Sequence, residues 1–170
     1  MICPTCGHDN LPGNEECVNC QQDLTPLDRP MAQDKVERSL MEDPVSLLNP
    51  KSPVTVGPST SLKTALQAML ASDIGALLVV DTAGNLLGIF SERDLLKRVV
   101  GFHEHYAELR VGDFMTPKPE TVTSTDTLDF ALHKMDGGGY RHLPVLTGGK
   151  PAGMISVRDM VHHIYRLCKD

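Results

Sequence analysis

The sequence predicts a mixed α/β protein in which one unit occurs twice behind a short cysteine-rich segment, and three observations carry that prediction. The heptads Gly88-Ile89-Phe90-Ser91-Glu92-Arg93-Asp94 and Gly153-Met154-Ile155-Ser156-Val157-Arg158-Asp159 spell one phrase at an offset of 65 residues. Upstream, Val56, Leu62, Ala65, Leu66 and Met69 recur as Val122, Leu128, Ala131, Leu132 and Met135 at an offset of 66. Four cysteines stand in two C-x2-C pairs at the N-terminus.

Taken in order, each copy reads strand, helix, strand, hairpin loop, strand, helix. The paired strands, 77–80 with 86–90 and 143–146 with 152–155, are short and apolar throughout, so they need cover on both faces and cannot stand alone in water. Each copy therefore covers the other. The loops Asp81-Thr82-Ala83-Gly84-Asn85 and Thr147-Gly148-Gly149-Lys150-Pro151 are turn-rich, and one residue lost there costs little, which accounts for the change of offset. Beyond the heptads, Leu95, Leu96, Val99 and Val100, with Met160, Val161, Ile164 and Tyr165, form one helical stripe each time. Cys168 continues the second stripe and is expected as a buried free thiol. Gly137-Gly138-Gly139 is expected to end a helix at Met135 rather than to cradle phosphate, because no strand-to-helix P-loop phrase surrounds it.

The phrase S-x-R-D has two readings. Ser91 and Ser156 stand where an apolar strand meets a helix, so each is a natural N-cap, and the aspartate three residues on favours the positive end of the helix dipole. A carboxylate there can also accept from two vicinal hydroxyls, such as those of a ribose, while free amides and the serine face a phosphate. The two readings are compatible.

With both S-x-R-D phrases, Ile74-Gly75-Ala76-Leu77-Leu78-Val79-Val80-Asp81 and Tyr140-Arg141-His142-Leu143-Pro144-Val145 in register, about two thirds of the chain resembles the cystathionine-beta-synthase (CBS) domain, used as tandem pairs called Bateman modules. The resemblance implies two β-α-β-β-α repeats packed about a pseudo-twofold axis, two clefts that often hold adenosine-containing ligands, and regulation rather than catalysis. It implies ligand contacts at Ser91 and Asp94 in one cleft and Ser156 and Asp159 in the other, with Arg93 and Arg158 as weaker phosphate candidates. Arg141 and His142 are expected to face the Asp94 cleft, where a guanidinium fork suits phosphate oxygens. The matching stretch Ile74, Gly75 and Ala76 has no charge, so the Asp159 cleft suits an uncharged group or none. Base contacts in the family are largely backbone and apolar, and Val56, Ile74, Gly75, Ala76, Val122 and Pro144 complete the candidate set that the resemblance implies.

The N-terminal pairs are Cys3-Pro4-Thr5-Cys6-Gly7 and Cys17-Val18-Asn19-Cys20. Four thiolates in two knuckles suit a tetrahedral soft ion, with zinc favoured over iron. The segment resembles short zinc ribbons, although Gln21 departs from the usual glycine. Paired disulfides are the alternative and would need an oxidising compartment. About twenty residues cannot bury a useful core, so metal is expected to fold them. Residues 1–28 contain no lysine or arginine but carry Asp9, Glu15, Glu16, Asp23 and Asp28, which argues against nucleic acid and for a protein partner. His8 is expected exposed, outside the ligand set.

The expected organisation is a ribbon at 1–25, a linker and leading helix at 26–45, and repeats at 46–112 and 113–170. The leading stretch with Met31, Val36 and Leu40 is expected to be a helix that packs on the module, supports dimerisation or simply lies on the surface. His103-Glu104-His105 between the repeats lacks a third ligand and reads as loop, and His133, His162 and His163 read as structural. A formal charge of −6 disfavours nucleic acid and anionic membranes, and no signal or transmembrane stretch is present in the sequence. The expectation is a cytoplasmic, non-enzymatic regulator, a homodimer, whose CBS pair binds an adenine nucleotide (AMP, ADP or ATP ahead of NAD or S-adenosylmethionine) and signals to a protein partner. The alternatives are a ligand-free scaffold and a DNA-binding regulator acting through the ribbon.

Overall fold

The computed structural model describes residues 2–11, 14–24 and 32–169, in two compact units, Met1–Asp34 and Lys35–Asp170. Residues 25–31, which include the start of the linker and leading stretch expected at 26–45 and its Met31, lie outside the described residues.

The first unit is two knuckles of one design. Cys3 N donates to His8 O at 2.9 Å and Gly7 N to Cys3 O at 2.9 Å; Cys17 N donates to Gln22 O at 2.9 Å and Gln21 N to Cys17 O at 2.8 Å. Gly7 and Gln21 both take left-handed backbone conformations, at φ 71° and 59°. The turn therefore keeps its shape without the second glycine, at a cost of about 1–2 kcal/mol for the side chain at Gln21. Among the described residues its buried core is Cys3, Cys17 and Leu24, and His8 is exposed.

The second unit runs α1 (Lys35–Glu42), a 3-10 turn (Val45–Leu48), β1 (Thr55–Val56), α2 (Leu62–Ala71), β2 (Ala76–Val80), β3 (Leu86–Ser91) and α3 (Glu92–Asp94), which a π turn (Leu95–Val99) continues. A 3-10 turn (Tyr106–Glu108), α4 (Val111–Phe114), β4 (Thr116–Pro117), β5 (Val122–Thr123), α5 (Leu128–Gly138), β6 (His142–Thr147), β7 (Lys150–Ser156) and α6 (Val157–Lys169) follow. One sheet has the order β1-β2-β3-β4 and the other β5-β6-β7. In each repeat the first strand is parallel to the second and the hairpin is antiparallel.

The all-apolar strands are explained by cover on both faces. Leu77 and Val79 of β2 pack with Leu62, Ala65, Met69 and Phe90, while Ala76 and Leu78, on the opposite face, pack with Ile89 and Met154 of the other repeat. In the second repeat Leu143, Val145 and Ile155 pack with Leu128, Ala131, Met135 and Met160.

Each repeat is completed by the segment that precedes the other. Val45 and Leu48, ahead of β1, are buried in the core of the second repeat, and Val111, ahead of β4, is buried in the core of the first. The backbone bonds match by repeat position: Val45 N to Asp126 O and Leu128 N to Asp43 O correspond to Val111 N to Thr60 O and Leu62 N to Leu109 O. The exchange gives the glycines that open the two heptads their reason. A Cβ on Gly88 would lie 2.8 Å from Thr116 O and 2.5 Å from Met115 Sδ, and one on Gly153 would lie 2.7 Å from Pro50 Cβ. Both glycines admit the arm of the opposite repeat.

Three expectations need correction. The apolar stripes are divided: Leu95 is half-buried and Val99 buried, whereas Leu96 and Val100 are exposed; Met160 is buried, whereas Val161 and Tyr165 are exposed. Neighbouring helical positions differ by about 100°, so adjacent apolar residues cannot all meet one core. Cys168 is exposed for the same reason, one position beyond the half-buried Leu167 at the end of α6. The glycine run does not end the helix at Met135: α5 continues to Gly138, and Gly139 caps it at φ 63°.

Candidate functional site

The end of β3 delivers Ser91 and the first turn of α3 delivers Asp94, three residues apart, so a capping box forms. Ser91 N and Ser91 Oγ donate to Asp94 Oδ2 at 2.9 and 2.7 Å, and Ser91 Oγ accepts from Asp94 N at 3.4 Å. Asp94 Oδ1 faces the other repeat, accepting from Thr116 Oγ1 at 3.1 Å with Arg98 Nη1 at 3.6 Å. Asp94 is only 7% exposed. A buried carboxylate needs such partners, and here they come from both repeats.

A cleft of about 620 Å³ opens beside it, lined from the first repeat by Gly75, Ser91, Glu92, Arg93, Asp94, Lys97 and Arg98 and from the second by Thr116, Gly139, Tyr140, Arg141 and His142, among others. Four guanidinium or ammonium groups thus meet two carboxylates, a balance suited to an anion. Arg93 Nη1 donates to Gly139 O at 2.9 Å, spanning the two repeats. Arg98 Nη1 donates to Phe114 O and Met115 O, each at 3.1 Å. The side chains of Lys97 and Arg141 make no hydrogen bond or ion pair among the described residues, which leaves both available to a ligand.

His142 sits where the walls converge. A Cβ on Gly75 would lie 3.3 Å from Glu92 Oε2 and 3.4 Å from the His142 ring, so these two side chains close on the Gly75 backbone. Burial holds the imidazole below its ordinary value, with Glu92 and Asp159 pulling the other way and Arg141 and Arg158 adding to the depression.

The second heptad repeats the cap. Ser156 N and Oγ donate to Asp159 Oδ2, each at 2.7 Å. The adjoining hollow is smaller, about 400 Å³, and is lined by Leu48, Asp159, His162, Tyr165 and Arg166. Ser156 and Arg158 do not line it. Of the remaining candidates, Gly75 stands in the wall of the Asp94 cleft, while Val56, Val122, Ile74, Ala76 and Pro144 line neither cleft. Val122 is in one core, Ala76 is at the contact between sheets, Val56 and Ile74 pack on the first core, and Pro144 is buried in β6. Sequence reading missed Thr116, Arg98, Lys97 and Tyr140. The repeat itself hides the first two, because their counterparts are Lys51 and His163.

In the ribbon, Cys3, Cys6, Cys17 and Cys20 bring their sulfurs within 4.8 Å of one another, with Cys3 Sγ to Cys20 Sγ and Cys6 Sγ to Cys17 Sγ both at 3.6 Å. Sulfurs held tetrahedrally at about 2.3 Å from one ion stand roughly 3.8 Å apart, so the four cysteines fit a metal. Asn10 braces the second knuckle, accepting from Val18 N at 3.0 Å and donating to Cys17 Sγ at 3.6 Å. Burial opposes ionisation of Cys17, but the amides of Cys20 and Asn19, the Asn10 side chain and Cys6 outweigh it and bring the thiol to about 6. At Cys20 the Gln22 amide favours the thiolate, yet Cys6, burial, Cys3 and Cys17 together push it up to about 12. Adjacent thiolates repel, and a cation removes that repulsion.

A CBS-domain family model matches residues 40–101 and 111–166. The chain belongs to the CBS-domain family. Among solved structures it is similar to the CBS-domain containing protein ATU1752 from Agrobacterium tumefaciens, with 37% identity, a TM-score of 0.65 and coverage of 70% of this chain and 94% of that one. It is also similar to CBSX2 solved in complex with AMP, with 27% identity, a TM-score of 0.58 and coverage of 72% and 97%. Among curated proteins, the CBS domain-containing protein CBSCBSPB5 of Arabidopsis thaliana is 34% identical over 109 residues, 64% of this chain. The match spans 20% of that plant protein's length, so the CBS pair is the shared part. Among the described residues no helix is long and apolar enough to cross a membrane.

Proposed function

We propose that this CBS pair is the sensor of a non-enzymatic regulatory protein and that its Asp94 cleft binds an adenosine-containing ligand, with AMP, ADP or ATP ahead of the alternatives. The observation that carries the reading is the meeting, in one cleft, of a carboxylate from the first repeat with Arg141 and His142 from the second. Asp94 is the acceptor for a ribose diol. Arg141 and Lys97, whose side chains are unpaired, receive the phosphate, with His142 beside them. Val56, Val122, Ile74, Ala76 and Pro144 lie outside the lining of this cleft. The Asp159 hollow, with Ser156 and Arg158 at its cap, is the minor site. A structural neighbour solved with AMP supports this ligand class.

The four cysteines hold zinc, and the ribbon is the element that meets a protein partner. It carries Asp9, Glu15, Glu16 and Asp23 without a lysine or arginine, which is unsuited to nucleic acid. The exposed apolar residues Leu96, Val100, Val161 and Tyr165 on the helices after the two heptads supply surface for a homodimer. Four cysteines held as metal ligands and a fifth outside any disulfide suit a reducing cytoplasm. Ligand affinity that differs between two arrangements of the repeats is the source of the signal.

A melting-temperature panel of the full chain with AMP, ADP, ATP, NAD and S-adenosylmethionine tests the reading. A ligand at a hundred times its Kd stabilises by about 2.7 kcal/mol, a shift of several degrees. No shift with any of the five overturns the sensor reading in favour of a ligand-free scaffold.

A further inference from the structure

The two oxygens of Asp94 serve different parts of the chain. Oδ2 takes two donors from Ser91, N at 2.9 Å and Oγ at 2.7 Å, which fills its lone pairs. Oδ1 takes Thr116 Oγ1 at 3.1 Å and stands 3.6 Å from Arg98 Nη1. Arg98 in turn donates to Phe114 O and Met115 O at 3.1 Å and to Thr116 Oγ1 at 3.5 Å. One carboxylate oxygen and one guanidinium thus hold residues 114–116, the arm by which the second repeat enters the sheet of the first.

We infer that Arg98 and Thr116 are positioning residues through which occupancy of the Asp94 cleft loosens this arm. The inference rests on the proposed ribose contact at Asp94. A diol cannot use Oδ2, whose acceptor capacity is spent on the helix cap, so it must take Oδ1. A ligand hydroxyl there competes for that oxygen with the Thr116 hydrogen bond and the Arg98 charge, and both of these hold the arm. The rest of its hold is backbone pairing and packing: Thr116 and Pro117 pair with Ile89 and Gly88, Lys118 N donates to Leu87 O at 3.0 Å, Met115 N donates to Val111 O at 2.9 Å, and Phe114 and Met115 pack on the first core. Among the described residues the Asp159 side has no such link. Its Oδ2 receives the same two donors from Ser156, but the residue that pairs with Met154 as Thr116 pairs with Ile89 is Lys51, which has no hydroxyl, and the counterpart of Arg98 is His163, which bonds Ser39 instead. Only one of the two clefts is wired to an exchanged arm.

Amide hydrogen exchange on the full chain, with calorimetry to establish binding, tests this. Saturating AMP is expected to speed exchange at Met115 and Lys118 by roughly tenfold, the loss of about one charge-assisted hydrogen bond. The analogue 2′,3′-dideoxyadenosine monophosphate, which keeps the phosphate but has no diol, is expected to bind more weakly and to leave these amides unchanged. In Thr116→Val the response to AMP disappears, and Thr116→Ser restores it. AMP that binds without changing these amides, or a dideoxy analogue that changes them equally, overturns the coupling and leaves the site standing. A chain that binds neither AMP nor ATP in calorimetry overturns both.

Discussion

Ser39 in α1 and His163 in α6 are joined by a 2.7 Å hydrogen bond between Oγ and Nε2, across 124 residues, and both are buried. Ser39 Oγ also donates to Asp43 Oδ2, so its single proton is spent and Nε2 of His163 must be the donor to Ser39. The chain from imidazole through hydroxyl to carboxylate ties the leading helix to the last one. The leading helix is therefore part of the module. Ser39→Ala leaves a buried N–H without an acceptor and is expected to destabilise the module by about 1–3 kcal/mol. Urea unfolding followed by circular dichroism checks it, and an unchanged midpoint would show that α1 is only laid on the surface.

The glycines separate close approach from mere flexibility. Gly88→Ala places a methyl group against the Thr116 carbonyl, which is backbone and cannot turn aside, and is expected to cost about 1–3 kcal/mol. Gly137, inside α5, has open space around its Cβ position, so Gly137→Ala is expected to stabilise by up to about 1 kcal/mol. Thermal melts of the two variants should move in opposite directions.

Metal removal is expected to unfold residues 2–24 and leave the repeats folded, because the ribbon's core is three side chains and the module has its own. One equivalent of zinc per chain is expected by elemental analysis. Two-dimensional NMR with and without a strong chelator reads the outcome residue by residue. Collapse of every signal would show that the ribbon is built into the module.

His142 gives the proposed nucleotide site a pH dependence. Its folded value lies below the ordinary 6.5, so the unfolded chain binds the proton more readily. The neutral ring's contribution to stability is fully present above about 6.5 and is lost as pH falls from there toward the folded value. Phosphate favours the imidazolium, so AMP affinity should rise over the same window. His142→Asn removes that rise and controls for the phosphate's own titration near 6. Calorimetry at several pH values compares the two proteins, and parallel profiles would remove His142 from the site.

The duplication made much of the fold legible. Two S-x-R-D phrases fixed the caps at Asp94 and Asp159, and the all-apolar runs at 77–80 and 143–146 announced strands covered on both faces. The four cysteines were equally plain, because C-x2-C spacing is a local property. What stayed hidden depends on contacts between the repeats. Leu95 and Leu96 look alike in sequence, and only the position of the core separates them. Gly88 and Gly153 are visible as repeated letters, but their reason is the arm of the opposite repeat. Thr116 and Arg98 break the repeat, so the pattern that revealed Asp94 concealed the residues that share its second oxygen.

The claim that the Asp94 cleft is the principal nucleotide site is tested most directly by isothermal calorimetry of AMP and ATP against Asp94→Ala, Asp159→Ala and Arg141→Ala, with each variant's melting temperature measured without ligand. Loss of a charge-assisted hydrogen bond is expected to weaken Asp94→Ala by roughly ten- to a hundredfold, with a smaller effect at Asp159. Arg141→Ala should weaken both nucleotides and spare adenosine. Abolished binding in Asp159→Ala with intact binding in Asp94→Ala would contradict the account.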